Sequence, residues 1–340
     1  MITSLENTDK KGVSIVIVTY NGVGRLQPTL VHIADQKHID FPCELLLIDN
    51  NSTDGTSSFV KETWETLGAP LALRIEVEKQ SGTMFARQRG IDSSNYRYMV
   101  FCDDDNLLNP NYIRQAYDRI KSNEKIAAVG GQGIIEYNGS SASKWMTPAF
   151  ERNYGCGPQG KSDGDTTYDK GCLYTAGAIL DRQWLSKLYS AGFRSVLKGR
   201  DSKSLVAGED TELTMALKLI GAELHYYSEL SFKHVMTPQR ITWAYLKRLH
   251  EGFGYSNHIL SPYKHVMHNK RPSRKQQLLK TVKDICALEL SLCFKTNKEG
   301  NVEVLHLQSL KGRLRAMLFG QAKYRESLSI AKKLSKNHLK

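Results

Sequence analysis

A chain of 340 residues with 40% hydrophobic side chains holds enough apolar material for one large core or two modest ones, which excludes disorder as its main state. Its 47 Lys and Arg stand against 35 Asp and Glu, a formal charge of +12 spread unevenly: residues 1–260 hold 29 basic and 30 acidic groups, residues 261–340 hold 18 and 5. No run reaches the roughly eighteen apolar residues of a membrane span, and the N-terminus lacks the apolar stretch of an export signal, so a cytoplasmic chain is expected.

In chain order, residues 13–20, VSIVIVTY, form a continuous β-branched run ended by Asn21-Gly22, the pattern of a strand covered on both faces. A helix over 26–35 and the apolar run CELLLI at 43–48, stopped by Asp49-Asn50-Asn51-Ser52, complete a βαβ unit. A helix over 57–67, a strand at 73–77, a helix over 84–93 and a strand at 98–101 follow, the last running into Asp103-Asp104-Asp105. In open α/β sheets ligands sit outside the carboxyl ends of the strands, so Thr19-Tyr20-Asn21, the 49–56 loop and the 103–106 loop should converge on one crevice.

Residues 138–170, rich in Gly, Ser, Asp and Asn, read as a surface excursion able to cover a site. Order resumes at 173–180, a helix follows at 184–190, and Glu209-Asp210 precede the helical pattern Leu213, Ala216, Leu217, Ile220. Two more helices are expected in the tail. One spans 276–294, with Leu278, Leu279, Val282, Ile285 and Leu288 on a broad face; the other spans 305–319, with Leu307, Leu310, Leu314 and Met317. They pack on the core, and their basic surface also suits anionic lipid, where each basic group contributes about 1 kcal/mol. The division is therefore 1–260 for the catalytic-looking part and 261–340 for a basic amphipathic helical region. Cys43, Cys102, Cys156, Cys172, Cys286 and Cys293 form no CxxC pair and read as small core residues.

Three carboxylates at a sheet edge repel one another unless a cation neutralises them, so Asp103-Asp104-Asp105 point to a hard divalent metal, Mn or Mg, over the alternative of a solvated acidic turn. The loop DNNSTDGT at 49–56 can hydrogen-bond a nucleobase or ribose, and it is equally ordinary turn chemistry. Arg87 and Arg89 share a short helix from which one could reach a diphosphate. Of Glu209 and Asp210, one can cap the helix while the other faces the cleft as a general base. His234 could ligate the metal or contact phosphate; a lone histidine is more often structural. No GxxxxGK[ST] or GxGxxG occurs, against P-loop enzymes and dinucleotide dehydrogenases.

Taken in order, VSIVIVTYN at 13–21, LLLIDNNSTDGT at 45–56, GTMFARQRG at 82–90, MVFCDDDN at 99–106, AGAILDR at 176–182 and GEDTEL at 208–213 resemble the family 2 glycosyltransferases, over residues 13 to about 258. The resemblance implies a GT-A (Rossmann-like) α/β fold, a mostly parallel central sheet flanked by helices, here with a C-terminal helical extension. It also implies a nucleotide-diphosphate sugar donor, UDP-linked, a divalent metal and inversion at the anomeric carbon. Thr19 and Tyr20 match positions lining the nucleoside pocket, Asp49 the acid that reads the base, and Arg87 the Arg of an A-R-N-x-G stretch in which Gln88 replaces Asn. Asp103 and Asp105 match the outer acids of the DxD motif, Asp103 toward ribose and metal, Asp105 on the metal, with His234 as a further metal ligand. Asp210 matches the proposed base. Asn51, Asp104 and Glu209 complete the expected substrate-binding set.

The implied activity is transfer of one sugar to a hydroxyl of a glycan or lipid-linked glycan in cell-surface polysaccharide synthesis, because the Q-x-x-R-W signature and spanning helices of processive synthases are missing. The competing readings are a non-catalytic nucleotide-sugar-binding protein and a sugar nucleotidyltransferase. Nucleic acid is not an expected partner, since the basic tail lacks interleaved aromatics; peripheral contact with the inner membrane face is.

Overall fold

The computed structural model describes residues 8–138, 142–169, 171–199, 205–269, 272–295 and 299–338. Four parallel strands, β1 (Val13–Thr19), β2 (Cys43–Asp49), β3 (Ala72–Val77) and β4 (Tyr98–Asp103), lie in the order β3-β2-β1-β4. Alternation along β1 decides the layering. Ile15 and Ile17 pack with Leu26, Leu30 and Ile33 of α1 (Leu26–Ala34) and with Val60 and Trp64 of α2 (Thr56–Thr66). Val16 points to the other face, toward Ala86 and Ile91 of α3 (Thr83–Ser93). Helix α3 lies so close to β1 that a Cβ on Gly90 would come within 2.6 Å of Val16 Cγ1.

The sheet continues from β4 through β8 (Ile179–Asp181), β6 (Ile126–Glu136) and β9 (Glu223–Val235) to β5 (Asn106–Leu108), with β7 (Gly164–Asp165) beside β9. The long ladders are parallel, including β6 on β9, and the antiparallel ones join only two or three positions each. The sheet is therefore mixed. Helices α4 (Tyr112–Ile120), α6 (Arg182–Ser190) and α7 (Glu209–Leu219) flank it, and the excursion after β6 holds the short helix α5 (Pro148–Glu151), a 3-10 turn at Arg152–Tyr154 and β7.

The N-terminal elements fall where sequence places them. Strand β6 had no such signal, because its apolar pattern is broken by glycines. One of them is required: a Cβ on Gly131 would sit 1.9 Å from the Leu230 carbonyl oxygen across the ladder. Of the ordered segment 173–180, only the last two residues belong to β8.

Four helices end the chain: α8 (Trp243–Met267), α9 (Arg274–Cys293), α10 (Val302–Phe319) and α11 (Gln321–His338). Glycines let α8 and α10 touch backbone to backbone, since a Cβ on Gly254 would lie 1.8 Å from the Ser309 carbonyl oxygen and one on Gly312 1.9 Å from that of Glu251. Residue 260 lies inside α8, and Ile259, Leu260 and Tyr263 share a core with Val16, Leu46 and, from α11, Ile330 and Leu334. The broad apolar face expected on α9 is split: Ile285 is buried, Leu278 and Leu288 half-buried, Leu279 and Val282 exposed. Cys102 and Cys156 are core residues as expected, whereas Cys286 and Cys293 are exposed, because α10 covers only one side of the helix.

Candidate functional site

At the carboxyl ends of β1 and β4 the structure opens into a cavity of about 550 Å³. Register explains the position. Parallel pairing sets Thr19 beside Asp49 and Val18 beside Asp103, so three polar strand ends reach the same edge. The loops are then stitched together: the Asn21 N–H donates to Ser52 Oγ, that of Gly22 to Thr56 Oγ1, and that of Thr53 to Asn21 Oδ1. Asn21 and Asn51 take left-handed φ values of 48° and 64°, which asparagine tolerates better than most residues. The excursion covers part of the opening with Arg152–Gly155, and α8 supplies a wall including Phe253, Asn257 and Lys264. Excursion and wall are clamped by Trp145, Phe150 and Trp243 packed edge to face, and by Tyr154 stacked on Tyr245.

The acidic triplet does not stand uncompensated. Each carboxylate has its own basic partner. Asp103 meets Arg87 at 3.4 Å. Asp104 accepts from Arg25 Nη2 at 2.6 Å and from the Thr19 hydroxyl at 2.6 Å. Asp105 Oδ2 accepts from Arg240 Nη1 at 2.8 Å and lies 3.4 Å from His234 Nε2. Burial by itself would raise the Asp105 carboxyl, but charged His234 and Arg240 outweigh it and hold it well below its ordinary value. Burial would lower the His234 imidazole, and the facing Asp105 carboxylate instead carries it up to about 10. Burial raises the Asp104 carboxyl, with Arg25 pulling it back.

The second acidic pair is divided as the helix start predicts. Glu209 has both oxygens engaged, Oε1 by Arg87 Nη1 at 3.0 Å and Oε2 by the Gly208 N–H at 3.0 Å. Asp210 accepts only the Thr211 N–H, on Oδ1 at 2.6 Å, and Oδ2 has no protein hydrogen-bond partner among the described residues. Asp210 lines the cavity together with Asp105. Arg87, lying over the Phe101 ring, thus joins the two acidic clusters, reaching Asp103 16 residues away and Glu209 122 residues away in sequence. The next acid along α7, Glu212, is buried and fixes the 195–197 loop through the Val196 and Leu197 N–H groups and the Ser195 hydroxyl, while also accepting from the Tyr263 hydroxyl of α8.

Of the site residues expected from sequence, Thr19, Tyr20, Arg87, Asp103, Asp104, Asp105, Glu209, Asp210 and His234 line the cavity. Asp49 and Asn51 do not. The Asp49 carboxylate accepts from the Ser52 N–H and the Ser57 hydroxyl, which holds its own loop, and Asn51 is an exposed turn residue. Asn50 takes that place, donating to the Glu78 and Gln80 carbonyls and accepting from the Gly82 N–H. Sequence reasoning missed Arg25 and Arg240. Their signal was charge arithmetic alone, since a triplet of acids at a sheet edge demands cations and metal was the only source considered.

Two ligands at right angles on a small divalent ion, each about 2.1 Å away, lie about 3 Å apart. The Asp105 Oδ2–His234 Nε2 separation of 3.4 Å is compatible with that spacing, provided the ion displaces the proton that keeps His234 charged. The three groups Asp165, Glu223 and His225 also approach one another, but they sit at the start of β9, the end of the strand opposite His234.

The family model described as Glycosyl transferase family 2 matches residues 14–188. Glycosyltransferase AglE of Haloferax volcanii is 30% identical over 133 residues, 39% of this chain and 43% of the relative. A poly-beta-1,6-N-acetyl-D-glucosamine synthase of Staphylococcus epidermidis is 20% identical over 297 residues, 86% of this chain and 66% of the relative. The chain thus spans between about two fifths and two thirds of these curated relatives. The crystal structure of S. aureus TarS 1–349 in complex with UDP superposes with a TM-score of 0.51 at 14% identity, covering 96% of this chain and 91% of that one, and the complex with UDP-GlcNAc gives 0.51 at 15%. This likeness shows the fold, a central mixed sheet flanked by helices as in GT-A glycosyltransferases.

Proposed function

The chain belongs to glycosyl transferase family 2, and from that membership we propose that it transfers one sugar from a nucleotide-diphosphate donor, UDP-linked, to a hydroxyl of a glycan or lipid-linked glycan, with inversion. The relatives' names support a place in cell-surface polysaccharide synthesis, and the UDP complexes of the structural neighbour support the donor class. The observation that carries the reading is that Asp105 and Asp210 line one cavity, their neighbours Asp103 and Glu209 being linked by Arg87.

In this reading the free Oδ2 of Asp210 accepts the proton of the acceptor hydroxyl as its oxygen attacks the anomeric carbon. A new C–O bond forms, the bond to the diphosphate breaks, and its electron pair leaves with the nucleotide. Arg240 would face the charge that grows on the leaving group; Arg25 holds Asp104 and Thr19, and Glu209 fixes Arg87. Asp105 and His234 would hold the divalent ion, Mn or Mg, whose chemistry is Lewis-acid neutralisation of the diphosphate. Residues 152–155 and 253–264 shape the space for the acceptor.

Paired variants test this. Asp210→Asn should abolish transfer and leave UDP binding by calorimetry within about twofold of wild type, while Asp105→Ala should weaken Mn-dependent UDP binding at least tenfold. Transfer at wild-type rate by Asp210→Asn would overturn the base assignment, whereas UDP binding by the wild type with no transfer would favour the non-catalytic binding reading.

A further inference from the structure

Helix α9 is apolar on two opposite faces, and only one has a partner. Thr281, Ile285, Leu288 and Leu292, spaced four, three and four residues apart, turn toward Val304, Leu307 and Leu310 of α10. On the opposite side Leu279, Val282, Cys286, Leu290 and Cys293 recur at steps of three and four, and Phe294 continues the line just past the helix end. The four large residues of this stripe are 42–83% exposed. At the two ends of α10, Val302 lies near Phe294, and Leu318 with Phe319 near the start of α9, all three exposed as well. Most exposed large hydrophobic residues among those described thus belong to this helix pair.

Charge decides what covers it. The stripe is bordered by Lys275, Lys280 and Lys283, none of which has a carboxylate partner among the described residues, while the one acid on its other border, Glu289, is held by Lys311 at 2.9 Å. Residues 261–340 carry 18 basic and 5 acidic groups. An apolar line rimmed by free lysines matches the boundary between anionic headgroups and acyl chains, where a helix lies in the plane of the bilayer. No helix among the described residues is long and apolar enough to cross a membrane, so the contact is peripheral.

We propose that the outer face of α9, from Leu279 to Phe294, is a docking surface for an anionic lipid bilayer. Order in space keeps it apart from the cavity: α8 lines the site, α10 packs on α8, and α9 packs on α10. The surface is independent of the sugar chemistry, and its test does not depend on transfer.

The full-length chain is mixed with sucrose-loaded vesicles of equal phosphatidylglycerol and phosphatidylcholine, or of phosphatidylcholine alone, and sedimented. Wild type should partition onto the anionic vesicles and lose that binding at 0.5 M NaCl. Lys280→Glu/Lys283→Glu should lower the partition coefficient at least twentyfold, each lysine near the surface being worth about fivefold. Leu290→Glu/Phe294→Glu should lower it at least tenfold with the lysines intact. All substituted side chains are exposed, so both variants should keep the wild-type melting temperature and UDP-induced thermal shift. Absence of wild-type binding, or binding of the Leu290/Phe294 variant at wild-type strength, overturns the proposal. So does a dimer in light scattering that this variant abolishes while wild type ignores vesicles, because the stripe is then covered by a second copy.

Discussion

Arg87 is the point at which the two acidic clusters depend on one side chain, and its removal has a calculable effect. Its Nη1 lies 3.0 Å from Glu209, whose side chain is 11% exposed, and its Nη2 lies 3.4 Å from Asp103, whose side chain is 35% exposed. Breaking a buried pair by deleting one member costs about 3–5 kcal/mol, because the remaining charge stays buried. The Gly208 N–H still serves Glu209, which places this contribution near the lower end. The Asp103 contact is longer and more open to solvent, and its share is about 0.5 kcal/mol. Arg87→Met, which keeps the apolar stem over Phe101, should therefore destabilise by about 3–4 kcal/mol, a fall in melting temperature of roughly 6 °C for a chain of this size. Arg87→Met/Glu209→Gln removes the charge that Arg87 offset and should recover at least half of the loss. Urea unfolding of the four members of the cycle, without nucleotide or metal, measures both quantities. Arg87→Met within 1 kcal/mol of wild type, or a double variant no more stable than Arg87→Met, would refute the reasoning that this arginine holds the clusters together.

Burial pushes the Glu212 carboxyl up to about 7, against four protein donors that favour its charged form. A raised folded-state value means that stability from this group is fully present below its unfolded value near 4.5 and is lost as pH rises through about 7, on the order of 2 kcal/mol. Urea midpoints at pH 5.0 and 7.5 should thus differ more for wild type than for Glu212→Gln, and equal differences would discount the effect. At the helix crossing, Gly254→Ala must push α8 and α10 apart and should cost about 1–3 kcal/mol, whereas Gly24→Ala, with open space at its Cβ, should change stability by less than about 0.5 kcal/mol. Equal melting temperatures for the two variants would contradict the close backbone approach.

The order of strands and helices through residue 103 was legible because local rules agree there: apolar runs almost fully buried in β1, β2 and β4, turn residues at the strand ends, and parallel register that brings those ends to one edge. The same local signal placed Asp103, Asp105 and Asp210 at the site, since each follows an element boundary that sequence marks. Residue types alone left Glu209 and Asp210 as a choice of two, from which the family resemblance took Asp210 as base; that Glu209 is the one Arg87 holds depends on where Arg87 reaches.

What tertiary structure decided is the identity of the counter-charges and the fate of the tail. Arg25 and Arg240 lie 79 and 135 residues from the aspartates they neutralise, and no spacing rule relates such positions. Strand β6 was hidden for a similar reason: its Gly131 answers to a carbonyl on β9, a neighbour that local sequence does not display. In α9 the periodicity correctly announced a helix with abundant apolar residues, but periodicity fixes only which residues share a face. Which face is covered depends on where α10 lies, and that packing leaves Leu279, Val282, Leu290 and Phe294 in solvent.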